Sequence, residues 1–137
     1  MKHLFIILGA FALSACSNTP VPTNQANEVT GSKLLTTIYS SPTDNTGTLI
    51  VKRDSGKMGS LCTVHVFIDG IPLANLESEE KVTFHLSPGN HILSANPKGA
   101  CPGGLSELTT DVTAKKTQVF RASFASAGDF SLSPTAF

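Results

Sequence analysis

The chain has 137 residues, with ten Lys+Arg against ten Asp+Glu and a hydrophobic fraction of 40%. That length allows one small domain, zero formal net charge offers no footprint for nucleic acid, and the hydrophobic fraction excludes a wholly disordered chain. No apolar run reaches the roughly 18 residues of a transmembrane helix, and with no Trp and one Tyr (Tyr39) the usual aromatic binding anchors are scarce.

Lys2 and His3 open the chain on a basic note, and Leu4 to Leu13 then form an apolar run of ten residues. Such a run suits the core of a secretory signal and is too short to span a bilayer. Small residues and a cysteine follow, as Leu13-Ser14-Ala15-Cys16. This order resembles the lipobox of bacterial lipoproteins, whose peptidase needs small residues at the cut and whose lipid transfer needs a thiol. The resemblance implies a signal peptide over 1–15 and a covalent lipid (palmitate among its acyl chains) on Cys16. At ~0.8 kcal/mol per buried CH₂, several acyl chains anchor a protein stably. That Ser17 rather than an Asp follows the Cys implies, by the same resemblance, the outer membrane, facing the periplasm.

Residues 17–46 are rich in Ser, Thr, Asn and Pro. With 16 they read as a flexible tether, since so polar a stretch buries too little surface to offset its ordering entropy. Thirty free residues would span ~30 Å and hold a domain clear of lipid headgroups. Leu34, Leu35, Ile38 and Tyr39 interrupt the polarity and leave open a short strand or helical turn docked on the domain.

From Gly47 to Phe137 the pattern is β. Strands are expected at Thr48–Arg53, Leu61–Asp69, Lys81–Leu86, His91–Ala95, Leu105–Val112, Thr117–Phe124 and Asp129–Leu132. In the second, Cys62, Val64, Val66 and Ile68 share one face; in the third, Val82, Phe84 and Leu86 do. Asp69-Gly70 with Pro72, and Ser87-Pro88-Gly89-Asn90, carry turn chemistry. Six or seven short strands with regular turns predict an all-β fold, a small antiparallel β-sandwich or barrel.

With Cys16 taken by lipid, Cys62 and Cys101 remain. In an exported chain two leftover cysteines most simply pair, and no CxxC motif or Cys–His–Asn spacing supports a reactive thiol instead. The bond would staple the Gly/Pro-rich loop Asn96–Gly104 to a strand.

The stretch Val64–Ala95 resembles PEGA-type domains and related small lipoproteins of Gram-negative bacteria. The resemblance rests on an alternating strand ending in Asp69-Gly70, a second strand, and Pro88-Gly89-x-His91 opening a third. It implies a β-sandwich-like envelope module, structural or adhesive and without catalysis. Asp69, Gly70, Pro88, Gly89 and His91 are its structural turn residues.

A hairpin of 61–69 with 81–86 centred near Asn75 would set His65 opposite His85. Two facing imidazoles suit Zn²⁺ or Cu²⁺, but a pair of half-exposed histidines on a wet sheet face explains them as well, and no metal or other cofactor is assigned. GxSxG, SxxK and HExxH are absent. Glu77, Glu79 and Glu80 read as a solvated rim, and Lys115-Lys116 is too small a cluster for nucleic acid. No enzyme reading survives.

The expectation is therefore a lipid-anchored envelope lipoprotein, a non-catalytic accessory or structural module with an envelope protein as partner. Exposed strand edges are its contact element, and the run Phe130–Phe137 either docks on the sheet or engages that partner. The alternative is a periplasmic inhibitor or immunity protein that plugs a hydrolase or toxin with the Asn96–Gly104 loop.

Overall fold

The computed structural model describes residues 18–137; the signal segment and Cys16 lie outside the described residues. Among the described residues nine strands form two packed sheets. Their ranges are β1 Asn27–Glu28, β2 Gly47–Arg53, β3 Cys62–Ile68, β4 Ile71–Leu76, β5 Glu80–Leu86, β6 Gly89–Gly99, β7 Ser106–Val112, β8 Thr117–Phe124 and β9 Phe130–Pro134. One sheet has the order β1-β5-β2-β8-β9 and the other β4-β3-β6-β7. The expected all-β sandwich is what forms. Its pairs are antiparallel except β1 with β5 and β2 with β8.

Alternation builds the core. Val64, Val66 and Ile68 of β3 are fully buried, and Val82, Phe84 and Leu86 of β5 face them from the other sheet with Leu49 and Val51 of β2. Each strand hides one apolar face, so the two sheets can only associate through those faces.

Asp69 and Gly70, both at positive φ, turn β3 into β4 in a tight hairpin. Such a two-residue turn matches the twist of its strands. β4 is not among the strands expected from the sequence, whose reading puts only turn chemistry around Pro72. Pro72 sits in it opposite Phe67, at a register shift after Val66, which an edge strand tolerates because its outer N–H is not needed by the ladder. Ser87-Pro88-Gly89-Asn90 does not close a hairpin. It carries the chain from β5 in one sheet to β6 in the other. β6 runs on to Gly99, so the first four residues of the expected Asn96–Gly104 loop are strand.

The tether expectation fails for residues 18–46, which lie along the sandwich. Val21, Ala26 and Val29 are buried, and Leu34 and Tyr39 pack against the core, while Leu35 and Ile38 stay exposed. A three-residue 3₁₀ turn spans Gly31–Lys33. The physical reason lies in the main chain, to which composition is blind. Asn27 N–H donates to Glu79 O, Val29 N–H to Lys81 O, the Glu28 carboxylate accepts from Thr83 N–H, and Tyr39 O accepts from His85 N–H. Every second residue of the outer edge of β5 is thereby satisfied. Leu35 N–H does the same for Leu73 O on β4.

β2 ends on Lys52 and Arg53, and Asp54 follows, making three consecutive charged residues that are all buried. Arg53 continues the inward face of Leu49 and Val51. Its guanidinium donates to the carbonyls of Cys62 (2.6 Å), Leu76 (3.1 Å) and Gly59, and lies 5.5 Å from the Phe124 ring centroid. Lys52 points to the opposite face, where it donates to Val21 O and Phe137 O and stands 5.3 Å from the Phe137 ring centroid. Burial pushes its amine below the ordinary lysine value, against the pull of Asp54. Asp54 accepts from Arg121 Nε at 3.1 Å. The run Phe130–Phe137 thus docks on the fold, through β9 and then through Phe137. Cys62 and Cys101 form a disulfide with Cα atoms 5.7 Å apart, stapling the 100–105 loop to the start of β3.

Candidate functional site: the open edge of β7

The two sheets leave four edges, and they are not equal. β1 is two residues long, β5 behind it is covered as above, and β4 is bridged by Leu34. On the opposite side β9 gives Leu132 N–H to Ser106 Oγ at 3.1 Å, which draws the two sheets together at the start of β7. Beyond Ser106 a groove opens between them.

The direction of the β7 main chain follows from its neighbour. Asp69 N–H donates to Ile92 O at 2.9 Å, and Ile92 N–H donates to Asp69 Oδ1 at 2.8 Å, so the polar groups of Ile92 face β3. Its ladder partner Thr109 is then a non-hydrogen-bonded pair with it. The N–H and C=O groups of Glu107, Thr109 and Asp111 consequently point away from β6. Among the described residues only one of these six groups has a partner, Asp111 O, which accepts from Gln118 Nε2 at 3.0 Å.

Beside this edge runs a groove of about 540 Å³, floored by Leu108, Val119, Phe120 and Pro134 and bordered by Thr110 and Gln118. Thr110 Oγ1 donates to Gln118 Oε1 at 2.6 Å across the gap. The outward side chains of β7 are Glu107, Thr109 and Asp111, all exposed. The acidic stretch ends there, because Lys115 and Lys116 occupy the turn into β8. Chemically this is an apolar trough flanked by unpaired peptide groups and two carboxylates. An added strand could pair with it. Sequence reasoning placed the strand but could not tell that it stands at an edge.

The histidines fall elsewhere. His65 pairs in register with Asn75 and Asn96, whereas His85 pairs with Thr48 in the other sheet and holds its hydroxyl at 3.0 Å from Nδ1. The facing pair is thus overturned, because β5 belongs to the other sheet and cannot pair with β3. Burial, with help from Lys98, pushes His65 below the ordinary histidine value. Among the described residues no group of three or more His, Cys, Asp or Glu is gathered as a metal site. Glu77 and Glu79 are exposed, as a solvated rim requires, and Lys33 bridges Glu77 and Glu80 at 2.8 and 2.6 Å.

The turn residues do converge. His91 Nδ1 meets Asp69 Oδ2 at 2.7 Å, and its Nε2 meets Ser87 O at 2.9 Å, so one imidazole ties the β3–β4 turn to the β5–β6 crossover. Burial lowers the His91 pKa, but the Asp69 and Ser87 contacts outweigh it and leave it raised; burial likewise opposes, and His91 and Ile92 N–H outweigh, so Asp69 is lowered. A raised histidine stabilises the fold below its ordinary value of 6.5 and loses that effect as pH rises through the folded value; a lowered aspartate stabilises above 3.8 and loses it as pH falls through its own. The latch therefore contributes most between those two values. His91→Gln should lower the melting temperature most near pH 5 and least above pH 8, by an amount worth at most about 1 kcal/mol because Asp69 is half-exposed. Equal losses at both pH values would contradict this.

Comparison with protein-family models, with curated proteins and with solved structures found no match to the chain. Among the described residues no helix is long and apolar enough to cross a membrane.

Proposed function

We propose that the chain is a cell-envelope lipoprotein, anchored by acyl groups on Cys16 to the outer membrane on its periplasmic side. It acts without catalysis, as an accessory or structural module that binds an envelope protein. The lipid anchor is supported by the order of basic start, apolar run, small residues and Cys16. The PEGA-like stretch Val64–Ala95 supports the envelope setting.

The observation that carries the binding role is the largely unpaired strand edge at Glu107–Asp111, which runs beside the apolar groove. Long open edges are usually blocked because they recruit strands. A partner's extended segment adds to β7, its inward side chains drop into the groove, and it displaces the Gln118 amide from Asp111 O. Charge selects the partner. A second copy pairing antiparallel about Thr109 would bring Glu107 against Asp111, like charge on like charge. A segment with Lys or Arg at alternate positions meets them favourably.

The test is binding of a nine-residue peptide alternating Val or Thr with Lys, followed by amide chemical shifts. We expect shifts confined to 106–112 and 117–120, and loss of binding in Thr109→Pro. That variant removes an N–H facing away from β6, so folding is retained. Equal binding of a peptide with Glu in place of Lys, or binding that survives Thr109→Pro, would refute the edge as the contact element.

A further inference from the structure

We infer that the end of the sandwich formed by the 54–61 loop rests directly on the lipid surface, with Leu61 in contact with the bilayer. This rests on the lipid anchor at Cys16 proposed above.

The chain is already held at Asn18. Asn18 Nδ2 donates to Met58 O at 3.3 Å, and Thr19 and Ser55 exchange two main-chain hydrogen bonds at 2.8 and 3.1 Å. The packing leaves no slack, since a Cβ on Gly56 would lie 2.3 Å from Asn18 Oδ1. Cys16 stands two residues before Asn18, and two residues span at most ~7 Å when fully extended. The acyl chains therefore enter the membrane close to this loop, and no spacer of thirty residues lifts the domain away.

The same loop ends at Leu61, which is 78% exposed and is the most exposed large hydrophobic side chain among the described residues. It immediately precedes the disulfide-stapled Cys62. In water such a side chain gains nothing; against the acyl boundary of a bilayer its apolar surface is removed from solvent. The opposite end of the sandwich, with Gly89 and Asn90, is the full length of β6 away, about 30 Å for a strand of this size. The β7 edge runs between the two ends and is left facing the aqueous side.

The test uses the full, lipidated chain in vesicles of phosphatidylethanolamine and phosphatidylglycerol. With Cys62 and Cys101 paired and Cys16 acylated, Lys57→Cys or Asn90→Cys adds a single free thiol for an environment-sensitive fluorophore. Nitroxide-bearing lipids should quench the label at 57 at least twofold more than the label at 90, and Leu61→Asp should reverse most of that difference without changing the melting temperature. The mass of the N-terminal peptide is read on the same sample. An acylated Cys16 with equal quenching at both positions overturns this orientation alone. An unacylated Cys16 overturns both the orientation and the anchor from which it follows.

Discussion

Arg53→Ala is expected to destabilise the domain by about 3–5 kcal/mol, the combined cost of several buried carbonyls left without a donor and of the packing lost with a long side chain. The guanidinium holds the carbonyls of Gly59, Cys62 and Leu76 at one closed end of the sandwich, under the Phe124 ring. Alanine leaves those acceptors without a donor and opens a space that the surrounding strands cannot collapse to fill. Against a typical total of about 5–15 kcal/mol, such a loss brings the variant near the unfolding threshold. Arg53→Lys should recover only part of the difference, because an ammonium cannot reproduce a planar fork serving three separated oxygens. Urea unfolding of the two variants measures this; a loss below about 1 kcal/mol for alanine would mean that water replaces the guanidinium at no cost.

The second large effect is expected from the disulfide. Cys62 and Cys101 are 39 positions apart, and closing a loop of that length restrains the unfolded chain by about 4 kcal/mol in the entropic account. Cys62→Ser with Cys101→Ser should lose a comparable amount, measured as the melting temperature with and without reductant for the native chain and the double variant. Reductant should lower the native melting point and leave the variant unchanged. Arg53 Nη2 lies 4.0 Å from Cys62 Sγ and Arg53 Nη1 donates to the Cys62 carbonyl, so the two losses should not add. Additivity within a few tenths of a kcal/mol would show that the guanidinium and the staple act on separate parts of the fold.

Much of the fold is written in period two. Val64, Val66 and Ile68, and Val82, Phe84 and Leu86, point inward where alternation puts them. Asp69-Gly70 turns the chain where turn chemistry requires positive φ. Other parts have no such mark. Ile71–Leu76 contains Pro72 and buries the adjacent Leu73 and Ala74, which breaks alternation and hides β4. Ser87-Pro88-Gly89-Asn90 has the composition of a hairpin turn, yet its chemistry is equally compatible with a crossover, so the sheet to which β5 belongs is a tertiary property. That single ambiguity produced the false pairing of His65 with His85.

The docked segment 18–46 was hidden for a different reason. Most of its contacts with the edges of β5 and β4 are main-chain bonds, which any sequence can make, with the Glu28 carboxylate and Lys33 adding side-chain ties, and its buried apolar residues are spread out as Val21, Ala26 and Val29. Arg53 was partly legible. Continuing Leu49 and Val51 by two residues places it on the inward face, although a charged residue ending a strand invites the opposite reading. For β7 the strand is evident in the sequence, but its open side depends on what every other edge has found to cover it.

The anchor is open to one direct measurement. Cells carrying the full-length chain are labelled with a clickable palmitate analogue, and the protein is followed by gel shift, intact mass and membrane fractionation beside Cys16→Ala. The proposed function predicts label on the native chain alone, a mature mass beginning at acylated Cys16, and recovery with the outer membrane. Label that persists in Cys16→Ala, or a native chain that is unlabelled and free of the membrane, would contradict it.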